Sequence, residues 1–418
     1  MSKDLIPHIR IFYLLPTLKG WIVVFTGLLM TTVAMLNPNP VLALLSASVI
    51  SIVFVSFIMS LLSLYKINIR RLPNEDTHVG LSAEMSIVIT NLSKRSRQPF
   101  IISEKCLFTA GGRFDQVVSY LRPSERRIIK RFIPALKRGR YDFDKIVLQG
   151  GDPAGIFKRK RYFWIPTEII IFPEIERISS LPLNRNNTIQ SSGRASGMVG
   201  FGQEYFAIRR YIPGADTIKN IHWKASAKKG KLLVKEYESH KIPQISILLD
   251  TYKNAVGGEE PYNTNFEFLI KSAASIVDHL SCTYCNITYA QYSDKIDDIE
   301  IIEGTATETT DKIFAILSET QTSKEKFIEL LNLVDKYIIS DSILYCLTMT
   351  ESTEMHDFFN FLLDRGVDIR WLYAEKKLFR KRYSSSGSKS LKIKTKLLSV
   401  EPKILCAETK LSQVMNWK

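Results

Sequence analysis

The chain has 418 residues, of which 45% are hydrophobic and 24% are charged. That composition excludes a disordered, collagen-like or coiled-coil chain, and the length predicts several compact units, each with its own core. The 57 Lys and Arg outnumber the 42 Asp and Glu, so the formal net charge is +15, which predicts attraction to an anionic membrane leaflet or to nucleic acid. The five cysteines do not form the paired framework of a small secreted domain, so we expect free thiols in a reducing compartment.

The N-terminal segment, residues 1–65, contains two apolar runs without a charge, at about 20–36 and 41–64. Only the turn sequence NPNP, Asn37–Pro40, separates them. A helix needs roughly 20 residues to cross the hydrocarbon core of a bilayer, so the two runs predict a transmembrane helical hairpin. The alternatives are a cleaved signal peptide for the first run and a buried core helix for the second.

The orientation of this hairpin follows from the basic residues that flank it. They are Lys3, Arg10 and Lys19 before the spans, and Lys66, Arg70 and Arg71 after them. The positive-inside rule then places both termini in the cytoplasm and the remaining chain against the anionic inner leaflet of the cytoplasmic (inner) membrane. Neither run contains an ionisable group, so the hairpin is predicted to be an anchor and not a channel.

Residues 66–180 are rich in short, β-branched segments bounded by Gly, Pro, Asn or Ser. This pattern predicts a small antiparallel β-sandwich-like domain that serves as a spacer or scaffold. Its basic runs are interpreted as solvated strand faces or as contacts to lipid headgroups; they lie at Arg126–Arg131, Lys137–Arg140 and Lys158–Arg161. Nucleic-acid binding is not expected, because no aromatic and basic platform of a known type is present.

A polar linker at 181–200 and a segment at 201–241 lead into residues 242–375, where apolar strands and amphipathic helices alternate. This alternation predicts a doubly wound α/β domain. The predicted strands lie at 245–251, 285–292, 342–348 and 368–373, and the predicted helices at 266–280, 311–318, 324–333 and 354–365. Residues 376–418 form a basic tail that we expect to be mobile, with leaflet contact as the alternative.

The most informative stretch is Phe201–Glu238. It contains Phe206, Arg209, Tyr211, Pro213, Gly214, Asp216, Ile221, His222, Trp223, Lys224, Ala225, Ser226, Ala227, Lys231, Leu232, Val234, Lys235 and Glu236. This pattern resembles the signature of the family called domain of unknown function fifty-eight. The resemblance extends to the N-terminal hairpin, to GRY (Gly139–Tyr141) and to DPAGIF (Asp152–Phe157), and so covers most of the chain. It implies a membrane-anchored protein with a von Willebrand factor A-like α/β domain that works beside MoxR-type AAA+ ATPases in protein maturation or envelope processes.

The signature departs from the family pattern at Ala215, which replaces a second acidic residue, and at Lys219 and Asn220, where an arginine is common. The candidate interaction residues are Arg209, Tyr211, Asp216, His222, Trp223, Lys224 and Lys235. Two roles are open for them: they dock a partner, or they lock the segment onto the α/β domain with Trp223 buried. Catalysis by His222 with Asp216 is not favoured, because no nucleophile or oxyanion feature accompanies them.

A degenerate metal site is the second candidate. In von Willebrand factor A domains the first strand ends in Asp-x-Ser-x-Ser, whose oxygens coordinate Mg²⁺, and the corresponding run here is Asp250–Asn254. Asp250 and Asn254 retain oxygen ligands, but Tyr252 and Lys253 oppose an octahedral Mg²⁺ shell, so a metal-free interaction fold is favoured. A weaker zinc pattern contains His279, Cys282 and Cys285 and lacks a fourth ligand.

Three functions remain open at this stage. Because no P-loop or GxGxxG follows a strand, nucleotide hydrolysis and a bound cofactor are not predicted. The favoured function is that of a membrane-anchored interaction or scaffold protein that is not itself an enzyme, with lipid and an AAA+ ATPase as partners. The alternatives are a metal-dependent hydrolase at the strand ends of the α/β domain and nucleic-acid binding through basic surfaces.

Overall fold

The computed structural model describes residues 12–37, 39–73, 75–183, 199–211, 221–238, 242–259, 263–294, 296, 298–379, 400–415 and 417. Two compact units divide the chain. The β-rich unit contains Met1–Ile175 and Phe314–Thr320, and the α/β unit contains Glu176–Ile313 and Gln321–Lys418. Most of the predicted linker, residues 184–198, lies outside the described residues, as do Lys3 and Arg10.

Two long apolar helices confirm the two helical runs predicted near the N-terminus. Helix α1 is Leu18–Leu36 and helix α2 is Pro40–Ser63. The Thr17 side chain caps α1, and the Asn39 side chain accepts a hydrogen bond from the Val41 N–H at 3.0 Å at the start of α2. Only 11% of the most apolar part of each helix is buried, so neither resembles the core helix of a soluble domain. By length and composition both are candidate membrane spans.

The start of α1 is attached to the DPAGIF loop of the β-rich unit. The Thr17 N–H donates to the Ile156 carbonyl at 2.8 Å. A Cβ on Gly20 would lie only 2.1 Å from that same carbonyl oxygen, so this contact requires glycine. Asp152 closes the loop by accepting hydrogen bonds from the N–H groups of Ile156 and Phe157, at 3.2 and 2.7 Å. The DPAGIF motif therefore has a structural role.

The end of α2 is held by an arginine of the same unit. Nη1 of Arg97 donates to the Leu62 carbonyl at 2.7 Å, and its guanidinium lies over the Tyr65 ring. Free carbonyls at a helix C-terminus carry partial negative charge, so a cation there is favourable. Hydrogen bonds thus join the start of α1 and the end of α2 to the strands and loops of the β-rich unit.

Two long strands of 13 and 16 residues, β10 and β11, and nine shorter ones, most of them paired antiparallel, build the rest of the described β-rich unit. They are β1 Phe12–Pro16, β2 Ile67–Arg71, β3 Thr77–His78, β4 Ser82–Glu84, β5 Ile87–Asn91, β6 Phe100–Lys105, β7 Arg113–Val118, β8 Arg126–Ile129, β9 Phe132–Pro134, β10 Gly139–Gly151 and β11 Phe157–Phe172. The largest sheet has the order β1-β11-β10-β6-β7, with β3 parallel to β11, and two smaller sheets are β2-β5-β8 and β4-β9. Apolar residues from different sheets share one core, among them Ile69, Ile89, Ile102 and Leu148, as a sandwich-like arrangement requires.

Two expectations about this region are corrected. Strand β1 precedes the helical hairpin in the chain and pairs with β11, with Phe12 opposite Arg161, so the N-terminal segment is not separate from the β-rich domain. The basic runs are not wholly solvated, because Arg131 and Arg159 are only 1% and 7% exposed. In β11, alternation along the strand directs Arg159 inward, whereas Arg131 lies in the connection between β8 and β9.

The remaining elements follow in chain order, and helices alternate with strands over much of this part. They are β12 Val199–Arg210, α3 Trp223–Lys229, β13 Leu233–Glu238, β14 Gln244–Leu249, β15 Gly258–Glu259, β16 Asn263–Thr264, α4 Asn265–Ser281, β17 Asn286–Ser293, β18 Asp298–Thr305, α5 Ala306–Glu319, α6 Phe327–Val334, β19 Ile343–Thr348, α7 Thr353–Asp364, β20 Asp368–Tyr373, β21 Lys403–Ile404 and α8 Leu411–Val414. The predicted helices and strands between 245 and 373 are present, with end shifts of a few residues.

One sheet forms the centre of the α/β unit, with the strand order β18-β17-β14-β19-β20-β21. Strand β18 is antiparallel to β17, and the other pairs are parallel. The chain builds outward from β14 in one direction and then from β19 in the other, so the carboxyl ends of these two strands mark the topological switch point. Leu248, Leu344, Phe359 and Trp371 are buried in the core.

The expectation of a mobile C-terminal tail is wrong for its last part. Strand β21 pairs with β20, with Lys403 opposite Leu372. Leu405, Leu411 and Met415 are completely buried. The apolar residues beyond the Ser- and Lys-rich stretch cover the edge of the sheet, although the whole tail is basic in composition. Residues 380–399 lie outside the described residues.

Candidate functional site

Asp250 follows β14 at the switch point of the sheet, where α/β folds form their binding crevice. Its side chain is buried and 1% exposed. Oδ1 accepts from the Tyr252 N–H at 2.9 Å, and Oδ2 accepts from the Met349 N–H at 2.9 Å and from the Thr350 hydroxyl at 3.3 Å. Burial raises the pKa of the Asp250 carboxyl, while these hydrogen bonds act in the opposite direction. Asp250 therefore joins the segments that follow β14 and β19.

The segment after β14 is also bonded to Ser323. The hydroxyl groups of Thr251 and Ser323 are 2.8 Å apart, and the Ser323 N–H donates to the Thr251 carbonyl at 2.6 Å. The Lys253 N–H donates to the Ser323 carbonyl at 2.8 Å. Hydroxyl oxygens that lie near Asp250 in sequence are thus used in contacts within the protein.

The two predicted metal ligands lie in different environments. Asn254 is exposed, its Nδ2 donates to the Tyr252 hydroxyl at 3.0 Å, and its carbonyl lies 3.4 Å from Nζ of Lys376. Asp250 is buried, and its oxygens face N–H and O–H donors. Across the part of the chain that the structure describes, no group of three or more His, Cys, Asp or Glu side chains is arranged to hold a metal ion.

The weak zinc pattern at the end of α4 contains free thiols, as expected for all five cysteines. Cys282 is exposed, whereas Cys285, the residue before β17, is buried. Burial raises the pKa of the Cys285 thiol to about 11. The two thiols of this pattern therefore differ in accessibility.

We expect Cys282 to react with iodoacetamide at pH 8 much faster than Cys285 in the native protein. The thiolate is the nucleophile, and a thiol with a pKa near 11 is ionised in only about one molecule in a thousand at that pH. Mass spectrometry with fragment ions that separate the two sites measures both rates. Unfolding in denaturant should equalise the rates, and equal rates in the native protein would contradict the burial of Cys285.

The signature segment forms a small element of its own. Strands β12 and β13 pair antiparallel, with Arg209 opposite Val234 and Ile208 opposite Lys235. The His222 side chain caps α3 by accepting from the Ala225 N–H at 3.3 Å. These pairings define what we call the signature element, consisting of β12, α3 and β13.

Contacts inside the signature element hold its parts together. Ser226 accepts from the Leu233 N–H at 2.8 Å and so ties α3 to β13. The Tyr211 N–H donates to the Leu232 carbonyl at 2.9 Å. Ile221 is 6% exposed and forms an isolated β-bridge with Val234 of β13. Ser226 and Ile221 thus have structural roles, and His222 has a capping role.

The expectation that Trp223 is buried is wrong, because its side chain is 62% exposed. Trp223 is the first residue of α3, while the buried position on that helix belongs to Ser226. The apolar residues Ile221 and Ala225 near it in the sequence do not make Trp223 buried, because in the short helix α3 only the face that meets β13 is buried. Lys224 is exposed, Tyr211 is half-buried, and Asp216 lies outside the described residues.

The β-rich unit contains a buried ion cluster that was not predicted from the sequence. Nη2 of Arg71 lies 2.6 Å from Oε1 of Glu104, and Nη1 of Arg131 lies 2.6 Å from Oε2. All three side chains are at most 2% exposed, and Nε of Arg131 donates to the Met85 carbonyl at 3.2 Å. Burial lowers the pKa of the Arg71 guanidinium, and Glu104 opposes that shift. The three charges sum to +1.

A sequence signal for this cluster does exist. In β2, Arg71 occupies the next inward-facing position after Ile67 and Ile69. In β6, Glu104 occupies the next inward-facing position after Phe100 and Ile102. A charged residue at an inward position of a strand predicts a buried ion pair, because a lone buried charge is costly. Which charges meet depends on the pairing of the strands.

Comparison with known proteins adds little at this level of similarity. No family model matches the chain. The uncharacterized protein YeaD of Bacillus subtilis (strain 168) is 24% identical over 140 residues, which cover 34% of this chain and 33% of that protein, so the match spans about a third of its length.

Solved structures resemble the chain only weakly. The PapD-like domain 7 of human CEP192 has a TM-score of 0.17 and 13% identity, covering 25% of this chain and 84% of that one. A GH20 exo-β-N-acetylglucosaminidase from Vibrio harveyi, in complex with N-acetylglucosamine, has a TM-score of 0.18 and 9% identity, covering 74% and 56%. These TM-scores are too low to support any argument about fold or function.

Proposed function

We propose that the chain is a membrane-anchored interaction protein, with its soluble units in the cytoplasm at the inner membrane, and that it works beside a MoxR-type AAA+ ATPase. The observation that carries this proposal is the exposed Trp223 in the signature element. Aromatic side chains that stand free on a surface are typical anchors of protein interfaces. The segment with the most specific family resemblance thus presents a docking residue.

The sheet of the α/β unit supports a von Willebrand factor A-like fold as part of the proposal. Its order places β14 beside β17 and β19, and β18 is antiparallel at one edge. Asp250 follows β14, as the first aspartate of Asp-x-Ser-x-Ser does in those domains. Because its oxygens accept three hydrogen bonds from the protein, we propose a metal-free version that acts by binding proteins.

The charge and exposure of the signature element indicate the kind of partner. Besides Trp223, Ile208 and Leu232 are 48% and 46% exposed. Lysines follow closely in the sequence at Lys224, Lys228, Lys229 and Lys231. A basic surface with exposed apolar side chains is complementary to an acidic surface that contains an apolar pocket. We therefore expect the ATPase to contribute such a surface.

Replacing Trp223 with alanine tests the proposal. We expect binding to the purified MoxR-type ATPase of the same organism to weaken at least about tenfold, as for an interface hot spot. Thermal unfolding should be unchanged, because an exposed side chain adds little to stability. Binding is measured by biolayer interferometry with the detergent-solubilised full chain.

The matched control is Trp164→Ala, which removes another exposed tryptophan, 52% exposed on β11. It should leave ATPase binding unchanged. Equal loss of affinity in both variants, or a lowered unfolding midpoint in Trp223→Ala alone, would contradict a docking role for Trp223. Full affinity in Trp223→Ala would contradict the proposed surface.

The proposed topology makes its own prediction. A reporter enzyme that is active only outside the cytoplasm should give no signal when fused after Lys418, because basic residues flank the helical hairpin. The same reporter inserted between Asn37 and Pro40, in the uncharged turn, should be active. A strong signal from the C-terminal fusion would reverse the proposed orientation.

A further inference from the structure

The outer face of the largest sheet in the β-rich unit contains a cavity of about 280 Å³. Strands β6, β7, β10 and β11 line it, and each contributes one basic side chain. These are Lys105, Arg113, Lys145 and Lys160. Because neighbouring strands lie about 4.8 Å apart, four cations on adjacent strands converge on a space the size of a small ligand.

The floor of this cavity holds one of the cations in a defined orientation. Ser103 is buried and 2% exposed, and its hydroxyl accepts from Nη2 of Arg113 at 2.8 Å and from Nε2 of Gln149 at 2.9 Å. Nε of Arg113 donates to Asp115 at 2.8 Å. The planar guanidinium is thus positioned before a ligand arrives, which lowers the entropic cost of binding.

The net charge around the cavity is positive, although Asp115, which pairs with Arg113 at 2.8 Å, offsets one of the four cations. The acidic residue that lines it, Glu104, has its carboxylate paired with Arg71 and Arg131. That buried cluster carries a net charge of +1 and lies behind the four exposed cations. A concave site with a net positive charge concentrates the electric field, so this cavity attracts anions.

We propose that this cavity binds a small phosphate-bearing molecule. Because Nε and Nη2 of Arg113 already donate to Asp115 and Ser103, Nη1 of Arg113 and the three lysine ammonium groups are the donors for the oxygens of a phosphate group. The ring of Tyr162 also lines the cavity, with Nζ of Lys145 at 5.8 Å from its centroid, so the site offers an apolar wall beside the charges. The volume suits a compact ligand. This site is independent of the signature element and of the proposed ATPase partner.

Inorganic pyrophosphate is the probe for this site, titrated by calorimetry into the full chain held in phosphatidylcholine nanodiscs. We expect saturable binding that weakens about tenfold in Arg113→Gln and in Lys160→Gln. The control Arg126→Gln removes an exposed charge on β8 of the same unit and should change the dissociation constant by less than about twofold. Unchanged thermal unfolding of the three variants keeps the comparison free of folding defects.

Two sources of phosphate are distinguished by the lipid. If a lipid headgroup fills the cavity, pyrophosphate binding weakens in nanodiscs that contain phosphatidic acid; if the ligand is soluble, it does not. Both results support the phosphate site. Absence of saturable binding up to about 10 mM, a very weak affinity, would overturn the proposal. Equal weakening by Arg126→Gln would also overturn the proposal, because the affinity would then depend on the net charge of the protein and not on this cavity.

Discussion

Replacing Glu104 with alanine is expected to destabilise the β-rich unit by about 3–5 kcal/mol, the cost of removing one partner from a buried ion pair. Arg71 and Arg131 would then face each other in the core without the carboxylate that lies 2.6 Å from each. Hydrogen exchange of strand β6 in the detergent-solubilised chain reports on this unit alone, which matters because a chain with two units need not unfold in one step.

The control for this prediction is Glu84→Ala, which removes an exposed glutamate paired with Lys130 at 3.0 Å in the same unit. Exchange in β6 should be close to that of the unaltered protein. The triple variant Arg71→Met, Glu104→Leu, Arg131→Met should recover most of the stability, because it leaves no buried charge. Failure of the triple variant to improve on Glu104→Ala would show that shape, and not charge, causes the loss.

Asp250→Ala is expected to destabilise the α/β unit by about 1–3 kcal/mol for each buried N–H that loses its acceptor. The two N–H groups belong to Tyr252 and Met349, each 2.9 Å from a carboxylate oxygen. The matched control Asp357→Ala removes an exposed carboxylate on helix α7 and should change little. Denaturant unfolding, followed by hydrogen exchange in β14 and β19, measures both. A stable Asp250→Ala protein would contradict the structural role.

The contribution of the Asp250 side chain to the free energy of unfolding depends on pH with a definite sign. Because burial raises the pKa of Asp250 above its usual value of 3.8, its contribution to stability is fully present below that value and is lost as pH rises through the folded-state pKa. The stability advantage over Asp250→Asn should therefore be largest at acid pH and shrink towards neutral pH. An advantage that grows with pH would mean that the hydrogen bonds outweigh burial.

The unaltered chain and the Asp250→Ala variant also test for a bound metal ion. We expect no micromolar binding of Mg²⁺, because the Asp250 oxygens face three donors of the protein and Lys253 adds a nearby positive charge in the sequence. Calorimetric titration of the full chain with Mg²⁺ decides this. Tight binding that disappears in Asp250→Ala would revive the metal-dependent hydrolase.

Elements whose signal is local could be predicted from the residues alone. The uncharged runs predicted α1 and α2, because a continuous apolar stretch of about 20 residues needs no knowledge of the rest of the chain. The same holds for β14, β17, β19 and β20, where apolar strands of four to eight residues alternate with amphipathic helices. Strand β18 was missed because its residues are only half-buried at the edge of the sheet.

Contacts between distant parts of the chain determine which faces are buried and which charged groups form pairs. The period of β6 places Glu104 on an inward face, but only pairing across the sheets brings Arg71 and Arg131 to it. Likewise, Asp250 carries the pattern of a metal ligand, yet the segment after β19 supplies the donors that occupy its oxygens. Trp223 is exposed because the short helix α3 buries only Ser226. Burial depends on contacts between distant residues, which local periodicity does not specify.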